Sequence, residues 1–246
     1  MHFNLKIMQI SFITPTLNEE KNIKRVIKQY DVLKGKYTFE IIIADGGSED
    51  NTVKLAKKFG AKVTTNKRKK QTIAMNRNKG ASIAKGNILV FCDADTLHEN
   101  VILFAETILN TFKEKEIIAG MPSIKVFPEE RTIPDKIFHF IYNKTIKMSF
   151  PSKSPFGSGQ CQIIRKKIFE KVHGYDEKKV HGEDSYLFKE IRKYGELYHF
   201  TDLVIFESPR RYREIGYSKL ILTALYSLLG QAIFKKNVLD EWKRVG

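Results

Sequence analysis

Cysteine is scarce in this chain of 246 residues, represented only by Cys92 and Cys161. Far apart in sequence and without metal-ligand spacing, the pair argues against a disulfide framework or a cysteine-built metal site and suits buried thiols in a reducing cytoplasm. An export signal is also missing: Met1–Gln9 has no apolar core of signal-peptide length and is interrupted by Lys6, so the protein is not expected to be secreted. The mostly apolar stretch Leu220–Phe234 runs for 15 residues and is diluted by Thr223, Ser227, Gly230 and Gln231. It falls short of the ~20 residues of a membrane span. Acidic side chains are in deficit, 28 against 43 basic ones, and the formal charge of +15 predicts a surface that attracts nucleic acid, anionic lipid or phosphorylated substrates.

The content is that of one substantial core, at 42% hydrophobic residues. Strand-like runs at Ile7–Ile13, Phe39–Ala44, Ala61–Thr65 and Asn87–Cys92 alternate with helical patterns at Glu19–Leu33 and Asp50–Phe59. This alternation predicts βαβ units, hence a mostly parallel sheet with helices on both faces, which binds ligands at the carboxyl ends of its strands.

Polar clusters fall at those strand ends. The first strand leads into Thr14-Pro15-Thr16-Leu17-Asn18-Glu19-Glu20, where Pro15 stiffens the turn and Asn18 is placed to cap the next helix. The second leads into Asp45-Gly46-Gly47-Ser48-Glu49-Asp50-Asn51-Thr52, where glycines let the backbone approach a ligand and Asp45 presents a carboxylate to base or ribose donors; a glycine turn with a Ser48 or Asp50 cap explains the same residues. Asn76-Arg77-Asn78-Lys79-Gly80 lies on or near a helix, and Arg77 is suited to pair with phosphate, or else is an exposed helical arginine. The run Lys67-Arg68-Lys69-Lys70 reads as a solvated basic loop. After the fourth strand comes Asp93-Ala94-Asp95, two carboxylates placed to hold a divalent cation against a diphosphate, although a solvated turn uses the same residues.

Together with His181-Gly182-Glu183-Asp184, these blocks resemble the family 2 inverting glycosyltransferases, which have the GT-A fold, over about residues 7 to 200. The resemblance implies a catalytic domain over residues 1–214, followed by a helical segment over 215–246. It implies that Pro15, Thr16, Asn18 and Glu20 line a nucleotide pocket, that Asp45 reads the base, and that Arg77 faces the diphosphate. Asp93 would serve ribose and metal, with Asp95 as the direct ligand of a manganese or magnesium ion. Asp184, beside Glu183, would be the base that takes the acceptor proton. Gly46 is a departure, since many relatives carry a second aspartate there. The implied donor is a UDP- or GDP-sugar.

Two first-turn acids, Glu183 and Asp184, also suit the N-terminus of the helix expected at Ser185–Tyr194. Phe156-Gly157-Ser158-Gly159-Gln160, ahead of a strand-like run at Cys161–Arg165, resembles the family's glycine loop near the acceptor or is a plain turn. Arg210, Arg211 and Arg213 stand in a proline-led loop beyond the last expected strand, as a clamp for diphosphate or an anionic acceptor or as solvated side chains. Ile133–Phe150 and Leu220–Phe234 combine apolar residues with lysines, a pattern shared by interfacial helices and helices packed on a core.

The expectation is a cytoplasmic transferase at the inner face of the cell membrane, acting on a lipid-linked or cell-surface glycan acceptor. A sugar-nucleotide nucleotidyltransferase is the rival enzyme, but it calls for a glycine-rich phosphate loop after the first strand. A basic nucleic-acid-binding module would use the charge, yet zinc spacing and RNA-recognition aromatics are missing, so no specific nucleic acid is expected.

Overall fold

The computed structural model describes residues 10–66, 71–179 and 182–217. Its strands are β1 (Ile10–Thr16), β2 (Phe39–Asp45), β3 (Lys62–Thr65), β4 (Ile88–Cys92), β5 (Leu97–His98), β6 (Ile117–Val126), β7 (Cys161–Arg165) and β8 (Glu196–Glu207). They form a single sheet in the order β3-β2-β1-β4-β7-β6-β8-β5. Pairings are parallel from β3 through β4 and between β6 and β8, whereas β7 pairs antiparallel with β4 and β6, and β5 pairs antiparallel with β8. The sheet is therefore mixed, with a parallel half that carries the βαβ units.

The helices are α1 (Ile23–Lys28), α2 (Thr52–Lys58), α3 (Ile73–Ser82), α4 (Val101–Thr111), α5 (Ile133–Ser149), α6 (Lys166–Lys171), α7 (Glu183–Ile191) and α8 (Arg210–Ile215). Strand alternation sorts the core into two layers. Ile88, Val90 and Cys92 pack with Phe104 and Ile108 of α4, while Leu89 and Phe91 point the other way, into a cluster with Ala74 and Ala81 of α3 and Leu187 and Phe188 of α7. By the same alternation the next residue, Asp93, faces the α3 and α7 side. Each large apolar side chain buried this way contributes about 1.5–3 kcal/mol.

Several elements differ from the sequence expectation. The first strand extends through Thr16, so Thr14, Pro15 and Thr16 belong to β1; Pro15 lies beyond Ile13, the last β1 residue paired with β4. The helix expected over Glu19–Leu33 is a short α1 followed by a 3₁₀ segment, Gln29–Leu33. Asn18 is not a helix cap, because α1 starts five residues later. β6 was not expected: Gly120 and Pro122 disguise it, and register shifts against β8 absorb the irregularity. The arginine loop after β8 is a helix, α8. Cys92 and Cys161 are register partners across β4 and β7, with sulfurs 3.4 Å apart, both free and buried. The expectations placed on Met1–Gln9, Lys67–Lys70, His181 and Leu220–Phe234 lie outside the described residues.

Candidate active site

The loops after β1 and β2 are stitched together. Asn18 N–H donates to Ser48 Oγ at 2.8 Å, and Glu49 N–H donates to Asn18 Oδ1 at 2.9 Å. Glu20 accepts from the backbone and side-chain amides of Asn51 at 3.1 Å, and Glu20 N–H donates to Asp50 at 3.0 Å. Asn18 and Glu20 thus act as braces between two loops, with Asn18 in the left-handed region at φ 57°.

Asp45 ends β2 and is buried. Oδ2 accepts from Gly47 N–H at 2.8 Å and Ser48 N–H at 2.9 Å, and Oδ1 accepts from the hydroxyls of Thr16 and Ser48. These four donors occupy the acceptor sites of a carboxylate. Asp45, expected to read a base, shapes the loop that walls a cleft of about 540 Å³ and lines it together with Gly47, Ser48, Val53, Thr65 and Gln71. Gly46 is explained by space: a Cβ there would stand 2.7 Å from Asn76 Nδ2 and 3.2 Å from the Thr16 carbonyl oxygen.

The centre of the site is Arg77, on the inward face of α3 and 1% exposed. Its Nη2 donates to Asp93 Oδ1 at 2.9 Å and to the Gly159 carbonyl at 3.0 Å. Its Nη1 donates to Asp184 Oδ1 at 2.8 Å and lies 3.4 Å from Glu183 Oε1. The guanidinium also sits over the Tyr175 ring, 5.3 Å from its centroid. Arg77, expected to face the diphosphate, directs its Nη donors at these protein groups. It joins strand end, glycine loop and helix α7 into one unit.

Three carboxylates share this one cation, so their charge is under-compensated. Burial and Glu183 push the Asp184 carboxyl up to about 8 against the pull of Arg77. Burial raises Glu183 as well. A poised acid of this kind takes a proton near neutral pH, as general-base catalysis requires. The glycine loop touches it: a Cβ on Gly159 would stand 2.6 Å from Arg77 Nη2 and 3.0 Å from Asp184 Oδ2. Only glycine leaves that approach open.

Asp95 lies within a turn closed by Thr96, whose N–H and hydroxyl both donate to the Asp93 carbonyl. Burial, then Asp93, Glu207 and Glu19, push its carboxyl up to about 7. A half-buried acid among acids suits a cation, and hard oxygen donors fit magnesium or manganese. Among the described residues no group of three or more His, Cys, Asp or Glu forms a complete cage. Asp93 and Asp95 supply carboxylate oxygens of that kind at the end of β4.

The far wall was not legible in the sequence. Glu207, at the buried end of β8, accepts from the Tyr212 hydroxyl of α8 and pairs with His139 Nε2 of α5 at 3.0 Å. Gln160 Nε2 donates to the Tyr212 hydroxyl at 3.2 Å, and Tyr142 donates to Ser158 at 2.6 Å. The signal available was Glu207 itself, immediately ahead of the arginine cluster. Of that cluster, Arg213 is tied to Asp135 at 3.1 Å, Arg210 is exposed, and the side chain of Arg211 lies outside the described residues.

A largely parallel sheet with helices on both faces, and a cleft and a carboxylate pair at its strand ends, defines a nucleotide-binding α/β protein. The Glycosyl transferase family 2 profile matches residues 11–173, and the chain belongs to that family. It is 38% identical over 97 residues to glucosyl-3-phosphoglycerate synthase of Petrotoga mobilis, covering 36% of this chain and 30% of that protein. It is 32% identical over 100 residues to dolichyl-phosphate beta-glucosyltransferase of Mus musculus, covering 35% and 31%. The matched part thus spans about a third of these curated relatives. In three dimensions it resembles glucosyl-3-phosphoglycerate synthase from Mycobacterium tuberculosis, crystallised with Mn2+, UDP and glucosyl-3-phosphoglycerate, with a TM-score of 0.64 and 16% identity over 98% of this chain and 86% of that one. This likeness establishes the GT-A-like fold.

Proposed function

We propose that this chain transfers a glycosyl group from a UDP- or GDP-sugar to a lipid-linked or glycan acceptor, with inversion at the anomeric carbon. The observation that carries the reading is the sharing of Arg77 by Asp93 and Asp184, which sets a diphosphate-side carboxylate and a poised base in one rigid unit. Family membership and the manganese-bound nucleotide complex of the mycobacterial structure support it.

In this scheme Asp184 accepts the proton of the acceptor hydroxyl as its oxygen bonds to the anomeric carbon and the bond to the diphosphate breaks. Asp93 and Asp95 would hold a divalent cation, which when bound neutralises charge on the leaving diphosphate. The loops braced by Asn18, Glu20 and Asp45 hold the nucleoside end, with Pro15 and Thr16 at the strand end behind them. Arg210, exposed after β8, is a further anion contact. The dolichyl-phosphate relative favours a lipid phosphate acceptor, for which an ionised oxygen lowers the need for a base. Among the described residues no helix is long and apolar enough to cross a membrane.

The test is incubation with a panel of UDP- and GDP-sugars, with and without manganese, followed by transfer to polyprenyl phosphates and free sugars. Cation-dependent release of nucleoside diphosphate with a glycosylated product is expected. A panel in which no donor binds or turns over rejects the reading.

A further inference from the structure

Helix α5 has two unlike faces. Asp135, His139 and Ile146 are buried against the rest of the protein. On the other side Ile133, Ile137, Phe140, Ile141 and Met148 are 72%, 57%, 69%, 53% and 70% exposed. At 3.6 residues per turn these positions fall on one stripe. Lys144 lies within it, and Lys136 and Lys147 run along one edge, all three exposed. The helix has a single acid, Asp135, which is buried and paired with Arg213.

A continuous apolar stripe left in water marks an interaction surface. Its charge complement selects the partner: lysines without an exposed acid, on a chain of net charge +15, suit an anionic lipid surface. We propose that the outer face of α5 rests on an anionic bilayer, with Ile137, Phe140 and Met148 among the upper acyl chains and Lys144 reaching up to lipid phosphate.

The inner face of the same helix reaches the site, through Tyr142 to the glycine loop and through His139 to Glu207. The bilayer would then lie on the acceptor side of Asp184, so that the head group of a lipid-linked acceptor enters while its chain stays in the membrane. That consequence rests on the transfer proposed above; the lipid contact does not.

The experiment uses the full chain with Phe140→Trp in a Trp242→Phe background, which leaves one tryptophan. Vesicles of phosphatidylcholine, with and without phosphatidylglycerol, carry brominated acyl chains in a parallel set. The expected result is blue-shifted emission quenched by brominated lipid on the anionic vesicles. An Ile137→Ser/Met148→Ser variant of unchanged circular dichroism should bind those vesicles roughly tenfold or more weakly. Vesicle binding without quenching would assign the anchor to another segment, such as residues 218–246, and overturn the proposal. So would failure to bind, or a blue shift without vesicles that vanishes on dilution, the mark of a second copy on this face. The assay contains no nucleotide sugar, so a chain that binds vesicles yet transfers nothing refutes the transfer alone. Transfer to soluble acceptors by a chain that ignores vesicles refutes only the surface.

Discussion

Asp93 and Asp184 hold the two ends of one guanidinium: Arg77 Nη2 lies 2.9 Å from Asp93 and Nη1 lies 2.8 Å from Asp184. The first carboxylate follows a strand and the second opens a helix, and α3 delivers the cation between them. One planar group thus joins the two carboxylates.

Arg77→Met should strip three carboxylates of their shared cation. Breaking a buried pair costs about 3–5 kcal/mol, so thermal denaturation should show Tm lower by roughly ten degrees in a domain of this size. The loss should shrink on acidification, since protonation removes the uncompensated charges. Arg77→Lys keeps the charge without the fork and should recover stability only in part. An Arg77→Met protein as stable as the parent at alkaline pH would remove Arg77 from the centre of the site.

Asp184→Asn should reduce transfer to a hydroxyl acceptor by roughly 10²- to 10⁴-fold, while nucleotide affinity by calorimetry stays close to the parent. Transfer to a phosphate acceptor should suffer less. Full turnover on a hydroxyl acceptor would take Asp184 out of the base role.

The pH profile follows from the same group. Its carboxyl is pushed up to about 8, so it is protonated below that pH and ionised above it. A base works only when ionised, so kcat/KM for a hydroxyl acceptor should climb as pH rises through about 8 and level off beyond. An activity maximum on the acid side, falling through the same range, contradicts the assignment.

Asp95→Ala should abolish the manganese-dependent part of nucleoside diphosphate binding. Isothermal titration with and without the cation gives the answer, and equal affinities for parent and variant would move the metal site elsewhere.

Gly159→Ala places a methyl group 2.6 Å from Arg77 Nη2. A displacement of about 1 Å at a reacting group costs roughly a hundredfold in rate, so kcat should fall while the circular dichroism spectrum is unchanged. Parent-like kcat would mean that the loop yields without disturbing Asp184.

Much of the site lay open in the sequence because its parts are local. The apolar run ending at Cys92 places Asp93 at a strand terminus, and Glu183 and Asp184 precede a helical pattern. The parallel half of the sheet followed from strands and helices taken in turn. β6 escaped because a glycine and a proline break its pattern, and bulges that only the β8 pairing reveals make it a strand. Asn18 carries every mark of a cap, yet its partners stand thirty residues away in the next loop.

What the chain determined by itself is which residues carry charge, where β3, β4 and β7 end, and which carboxylates follow β4; these depend on spacing of 2 and 3.6 residues along the backbone. Tertiary structure decided which of those charges meet. Arg77 reads as an exposed helical arginine or a phosphate ligand until β4 and α7 close around it, and Glu207 has no role until β8 brings it beside Asp95 and His139. Pairing between distant segments has no period to read, because it is set by packing the two faces of the sheet. The same packing buries one side of α5 and leaves its apolar stripe facing outward.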